Sequence, residues 1–426
     1  MNRKIESVEV NKSLYRIKKG FVDRNLDEII YLIAFALFLA AEALNTTMFP
    51  IPGKILLALK LFSLFIVMAK IFFGGQVSGR EWVILWISVF IGGVVFYKAG
   101  YSEPLFWIIM LFGAKNVSLR KAIKIYFFVS VCIVFLAFSA SMLDIIENLQ
   151  YAREGNSHLL RNSFGIIYTT DFAAHIFAIF CSLFYLLKER LQWWHYLAVV
   201  VAGALLYHFC DTRISVVCIY GLAFLFMWIN IQGFSFIKKK FCRNDKSYKK
   251  LILIILFMIV SIFTLSFCYQ SDNVIWVRMD EIMSSRLMYG KQGIIQYGFS
   301  LFGQQIEMIG NGGRNIQLKE YFFVDCSYLN ILLKYGLCFF VFVVAVMFKC
   351  IRNYAKDKFY LTIIFLISIS CLFEHHIIEL AYNPFLLAAF ANGLDGSQFE
   401  SKHFKWKGRY AWTNQDGVSD KAGDEM

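Results

Sequence analysis

The chain has 426 residues, of which 58% are hydrophobic and only 17% charged, with a mean hydropathy of +0.57. A soluble domain of that length needs far more polar surface, so the composition excludes a water-soluble globular enzyme and points to a polytopic membrane protein. The formal net charge of +13 would suggest nucleic acid in a soluble chain. Here the basic residues sort to one side of a membrane, so no nucleic-acid partner is expected.

Residues 1–27 form a charged N-terminal segment that runs directly into a full-length apolar stretch, without the pattern of a cleavable signal peptide. A spanning helix needs about twenty mostly apolar residues. On that criterion about twelve spans are predicted: 28–44, 54–73, 81–97, 103–114, 123–143, 164–187, 193–209, 214–231, 251–268, 325–348, 359–376 and 377–394. The expected fold class is an all-α polytopic membrane protein, a single transmembrane domain over 28–394. Residues 270–324 form a large extracytoplasmic loop between spans 9 and 10, and 395–426 form a polar tail. No internal repeat and no paired broken-helix signature of a transporter is visible.

Lys and Arg placement sets the expected orientation. With the N-terminus inside, about 31 of the 43 basic residues fall on one side. They include Arg3 to Arg24, the loop KNVSLRKAIK, KERLQ, the run KKKFCRNDKSYKK, KCIRNYAKDK and KHFKWKGR. Both termini are therefore expected to be cytoplasmic, with anionic membrane lipid as the ordinary partner of the basic runs. The ten cysteines are scattered without CxxC or CxxH spacing, which supports neither a disulfide framework nor a zinc site.

Against that bias, a few arginines stand on the outer side. Arg161 lies in RNSFG, Arg213 in DTRIS and Arg286 in RLMYG, while Arg278 and Arg314 lie elsewhere in the long loop. Arg161 and Arg286 share an R-x-x-x-G pattern, with Gly165 and Gly290 permitting close backbone approach. Arginine holds phosphate oxygens through a planar, permanently charged fork, so three of them on separate segments suit a lipid-linked pyrophosphate. The alternative is local pairing, since Asp211 neighbours Arg213 and Asp280 and Glu281 follow Arg278. Trp276 and Tyr297 in the long loop are candidates for stacking on sugar faces, or for interfacial anchoring.

Three sets of residues are candidates for proton chemistry. Asp171 lies in the sixth span with His175 at i+4; Asp325 opens the tenth span as an N-cap or a base; and FEHHIIEL brings Glu374, His375, His376 and Glu379. A histidine is suited to proton transfer because its pKa lies near working pH. A lone HHxxE cluster is weak evidence for metal, and neither a metal nor a cofactor is expected. No P-loop, GxGxxG, HExxH or serine triad is present.

The segments RNSFGIIYTTDFAAHIF, DTRIS, SSRLMYGKQGIIQYGFSLFGQQI, VDCSYLNILLKYG and the late EHH, in that order, resemble the Wzy-type repeat-unit polymerases of capsular polysaccharide, exopolysaccharide and O-antigen synthesis, which are related to the O-antigen ligases. Where members of that family carry a His-Pro-Asn-like stretch, this chain has Tyr168, Thr169, Thr170 and Asp171. The resemblance implies a glycosyltransferase of the bacterial cytoplasmic (inner) membrane, acting at its outer face on undecaprenyl-pyrophosphate-linked oligosaccharides. It implies metal-independent, inverting transfer with undecaprenyl pyrophosphate as leaving group, alongside a flippase and a chain-length regulator. On that reading Arg161, Arg213 and Arg286 hold pyrophosphate, and Asp325, His375 or Asp171 serves as base. The alternatives are a ligase-like glycan transferase and a flippase for the same lipid-linked substrate.

Overall fold

The structure, a computed structural model, describes residues 25–74, 77–153, 156–234, 247–310, 312–313 and 321–392. The N-terminal basic residues, most of the run at 238–250, Arg314 and the tail lie outside the described residues. Runs of Leu, Ile, Val and Phe fold as helices here because lipid offers no partner for backbone N–H and C=O groups, which must be satisfied within the segment. In chain order these are α1 (25–44), α2 (Gly53–Phe73), α3 (Gly79–Ala99), α4 (Glu103–Gly113), α5 (Leu119–Met142), α6 (Thr169–Leu187), α7 (Trp193–Cys210) and α8 (Arg213–Phe234). Then follow α9 (Ser247–Cys268), α10 (Val274–Ile282), α11 (Arg286–Tyr297), α12 (Ser327–Asn353) and α13 (Lys358–Ser370).

Among the described residues, 8 helices are long and apolar enough to cross a membrane: α2, α3, α5 to α9 and α12. The multi-pass helical frame expected from composition is present, with fewer full-length spans than the twelve expected. α1 carries Asp27, Glu28 and Glu42, and α4 and α13 are only 11 and 13 residues long. Phe65, Phe90, Phe135 and Phe257 are exposed on the periphery, where lipid is the natural solvent. α6 and α12 lie deepest, with 56% and 50% of their apolar windows buried against 22% for α9. Those two central helices carry or adjoin Asp171 and Asp325.

Two segments depart from the expected helices. Residues 377–392 are turns and a short 3-10 segment, Phe385–Ala389, where the sequence suggested a twelfth helix. The chain can be irregular there because it is enclosed by protein: each residue of Phe385–Ala389 is at most 1% exposed. Neighbouring side chains supply the missing donors. Tyr126 Oη donates to the Ala381 carbonyl (2.7 Å), Tyr360 Oη to Phe385 (2.9 Å), and Asn353 Nδ2 to Ala388 and Ala389 (both 3.1 Å). The second departure from an all-α chain is a β-hairpin between α5 and α6. Its strands β1 (Gln150–Arg153) and β2 (Asn156–Asn162) are antiparallel, with Tyr151 opposite Arg161.

The long stretch after α9 is ordered by its own short helices and by its grip on α12. α11 packs against α9 and α12. Beyond it, the chain threads into a break in α12 at Gly336 (φ +83°, ψ 172°). The Leu337 and Cys338 amides donate to the Ser300 and Leu301 carbonyls (2.9 and 3.0 Å), and the Gln304 amide donates to Lys334 (3.1 Å). Residues 270–310 therefore form a built part of the bundle.

The connections sort to two ends. One end gathers basic residues with their partners, including Lys188–Asp357 (2.7 Å) and Lys121–Glu28 (2.7 Å). The opposite end gathers the hairpin, the segment around α10 and α11, and the turn after α13. There the Gly313 amide donates to both the Ile167 carbonyl (3.3 Å) and Tyr151 Oη (3.2 Å), tying the long loop to the hairpin region.

Candidate functional site

The helix that delivers Arg286 starts from an unusual cap. Ser285 precedes it in the left-handed conformation (φ +63°) and makes no side-chain cap. Asp280, from the helix before, does the work: its Oδ1 accepts the Leu287 and Met288 amides (2.8 and 3.2 Å). Burial pushes the Asp280 carboxyl up from its ordinary range, against the two amides and Arg286, which draw it back down. Replacing Asp280 by alanine orphans both amides, so Asp280→Ala is expected to lower stability by about 1–2 kcal/mol. Asp280→Asn keeps an acceptor and is expected to recover most of that loss in a thermal unfolding assay.

Arg286 itself is held from several sides. Its Nε and Nη2 donate to the Phe373 carbonyl (3.2 and 3.0 Å), its Nη1 donates to Ser284 (2.9 Å), and Asp325 Oδ2 lies 3.4 Å from Nη2. The arginine side chain is 13% exposed. This fixes the plane of the guanidinium and directs it at the junction between α12 and the turn after α13. Gly290, one turn along α11, lies close to Ser266 and Leu329, where an added Cβ would sit 2.8 and 3.0 Å from their side chains. Gly165, its counterpart in the shared pattern, has φ +78° and no room for a Cβ beside the Ala137 carbonyl. Both glycines do permit the close approach read from the sequence.

α13 stops at Ser370, and the turn that follows builds the rest of the site. Ser327 Oγ donates to the Glu374 carbonyl (2.5 Å), anchoring the turn to the start of α12. The Glu379 amide donates to the His376 carbonyl (3.3 Å), folding the Glu379 carboxylate back over both histidines. Glu379 Oε2 lies 3.1 Å from His376 Nδ1, and Oε1 lies 3.6 Å from His375 Nε2. Thus His375 and Glu379 meet through a turn rather than through a continuing helix. On its other edge, His376 Nε2 lies 3.6 Å from Asp171 Oδ1 in the first turn of α6. His376 also stacks on Tyr382 (3.8 Å between centroids), which stacks in turn on His175 (4.2 Å). His175 Nε2 is 2.8 Å from Thr46 Oγ1.

Charge within this cluster is unevenly distributed. Burial raises the Asp325 carboxyl, while Arg286 and His375 pull it down. Glu374 is pushed up to about 7 by burial, again opposed by Arg286.

Arg286, Asp325, Asp171 and His375, far apart in sequence, are brought to one place. Arg161 reaches its edge: on β2, its Nε donates to the Cys210 carbonyl (2.9 Å) and its guanidinium lies 5.9 Å from the Tyr168 ring. Tyr168 is within electrostatic reach of Arg161, Asp325 and Asp171 alike. Arg213 is different. Its side chain is 60% exposed and 3.8 Å from Asp211, and no contact among the described residues joins it to the cluster. Trp276 and Tyr269 meet in a T-shaped contact (6.5 Å), and Tyr297 stacks on Phe322 (5.9 Å). Sequence reasoning placed His376 beside His375 but did not single it out, although it proves to be the hub. Thr46 and Tyr382 carried no sequence signal. His375, His376 and Glu379 also bring three ligand atoms within 4.8 Å of one another.

Comparison with protein-family models finds no match, and comparisons with curated proteins and with solved structures find none either.

Proposed function

We infer that this protein is a membrane glycosyltransferase that polymerises undecaprenyl-pyrophosphate-linked oligosaccharide repeat units at the outer face of the bacterial cytoplasmic membrane. The observation that carries the reading is the Arg286–Asp325 pair, which joins a fixed guanidinium to a carboxylate beside two histidines at the end of the bundle. In this reading the end carrying α10, α11 and the hairpin faces outward, and both termini face the cytoplasm. The growing chain on its lipid is the donor. A hydroxyl at the non-reducing end of a new lipid-linked unit attacks the donor's anomeric carbon. A new C–O bond forms, the bond to the pyrophosphate oxygen breaks, and the hydroxyl proton passes to a protein base.

The leaving pyrophosphate gains charge as that bond breaks, and fixed cationic donors stabilise it. Arg286 supplies the central donor and Arg161 a second from the hairpin edge; Arg213, exposed beside Asp211, stands apart from them. The Asp325 contact is the longest of those made by Arg286, and it is the one a phosphate oxygen replaces. That replacement frees the Asp325 carboxylate to accept the hydroxyl proton, with His375 and Asp171 beside it. No metal enters this scheme.

Loss of the protein is expected to leave single repeat units on the lipid carrier in place of a ladder of chain lengths. Long chains persisting on the carrier in the deletion strain would overturn the polymerase reading. Purified protein given lipid-linked single units separates the remaining readings. Polymer formation in chelator supports the proposal, whereas transfer to a different acceptor alone favours a ligase, and translocation without transfer favours a flippase.

A further inference from the structure

We propose that His375, His376 and Glu379 form a binding site for a divalent transition-metal ion of the zinc class, with Asp171 orienting His376. The site shares His375 and Asp171 with the glycosyl-transfer reading but does not rest on it, since that reading uses no metal. Its first support is spacing. A tetrahedral ion with bonds of about 2.0–2.1 Å requires donors roughly 3.3 Å apart. Glu379 offers one oxygen 3.1 Å from His376 Nδ1 and the other 3.6 Å from His375 Nε2. All three residues bring a ligand atom within 4.8 Å of the others.

The donor set selects the ion. Two imidazoles and one carboxylate suit zinc and its neighbours, whereas magnesium and calcium require oxygen-dominated shells. Three protein ligands leave a fourth position open for water or another ligand.

A further observation comes from the far edge of His376. A metal-binding imidazole characteristically turns its second nitrogen toward a carboxylate, which sets the tautomer and the ring plane. His376 Nε2 lies 3.6 Å from Asp171 Oδ1, which leaves Nδ1 directed at Glu379. The His376 side chain is 8% exposed, and its Nε2 and His375 Nδ1 make no hydrogen bond within ordinary range. The rings are instead fixed by stacking: His376 on Tyr382 at 3.8 Å, and His375 edge-on to Phe323 at 5.0 Å. Such packing fixes the ring planes, with His376 Nδ1 and His375 Nε2 directed at Glu379. An ion bound here would occupy the lone pair of His375 Nε2, so it would inhibit any reaction in which that nitrogen accepts a proton.

The test uses full-length protein purified in detergent, stripped with chelator, loaded with zinc sulfate and freed of unbound ion. Metal analysis is expected to find roughly one zinc per chain, not displaced by millimolar magnesium. His376→Ala and Glu379→Gln are each expected to lower the affinity at least roughly tenfold, and Asp171→Asn by a smaller factor. Arg286→Lys serves as a control and is expected to retain zinc. A wild-type protein that holds no zinc, or a His375→Ala/His376→Ala variant that holds as much as wild type, would overturn the site. The wild type alone gives an independent answer: zinc is expected to shield His375 and His376 from diethylpyrocarbonate, as read by mass spectrometry. Unchanged modification of both histidines would equally overturn it.

Discussion

Arg286→Ala is expected to lower polymer formation by at least about a hundredfold, the size of effect seen when one fixed donor to a developing anion is removed. The reason lies in how the side chain is held. Three hydrogen bonds to the Phe373 and Ser284 carbonyls orient the guanidinium before any substrate arrives. Donors already in position need no reorganisation as charge builds on the leaving group, and a shielded site makes each one count for more. Alanine also leaves Asp325 without its cation, and losing one partner of this partly buried pair is expected to cost stability as well. Loss of activity in that variant therefore mixes chemistry with stability. Arg286→Lys separates them. Lysine restores a positive charge near Asp325, so membrane insertion and thermal unfolding are expected to stay close to wild type. It cannot reproduce the two-pronged grip on phosphate, so polymer is expected to remain at least roughly tenfold down. Near-wild-type polymer from the lysine variant would show that charge alone suffices. Near-wild-type polymer from the alanine variant would remove Arg286 from the site.

The pairing of Arg286 with Asp325 marks the boundary of what the sequence could reveal. Each residue stood out alone, as an arginine on the unexpected side of the membrane and as an acid opening a span. What joins them is the fold of the intervening 38 residues, part of which lies outside the described region. Helices were legible because lipid tolerates few alternatives to a long apolar helix. The same rule failed at 377–392, because a buried irregular segment needs the same apolar composition as a spanning helix. The correction was partly written in the chain. Asn383 and Pro384 form a turn signature, and Asn383 Nδ2 does donate back to the Ile377 carbonyl (2.8 Å). The hairpin around Arg161 is short and polar, and such segments show weak periodicity. His376 was hidden for another reason. Its importance comes from Asp171, more than two hundred residues earlier, arriving at its second nitrogen. Arg213 shows the converse. It stood out for its charge against the expected topological bias, but it lies exposed at the start of α8 with Asp211 3.8 Å away.

Gly336→Ala is expected to be among the most damaging single substitutions in the protein, although Gly336 touches none of the charged cluster. At φ +83° and ψ 172° its backbone occupies a region open essentially to glycine alone, which for alanine costs about 1–3 kcal/mol. A Cβ there would also collide with the Gly303 amide and the Leu301 carbonyl, which are backbone and cannot turn aside. Overpacking of this kind adds about 1–3 kcal/mol. Relief requires the 300–304 strip to leave the break in α12, giving up the Leu337–Ser300, Cys338–Leu301 and Gln304–Lys334 hydrogen bonds. The expected readout is twofold: a thermal unfolding transition shifted down, and faster proteolysis near residues 298–310. Gly298→Ala is the matched control. It too has a positive φ (+64°), but nothing lies within 4 Å of the position a Cβ would take. With ψ −164° it shares the glycine-only region of Gly336 and bears the conformational cost alone, about 1–3 kcal/mol, so protection of the strip should persist. If Gly336→Ala and Gly298→Ala behave alike, backbone conformation explains both, and the strip is not seated in the helix break. If only Gly336→Ala releases the strip, the break in α12 is the socket that turns a long connection into one wall of the site.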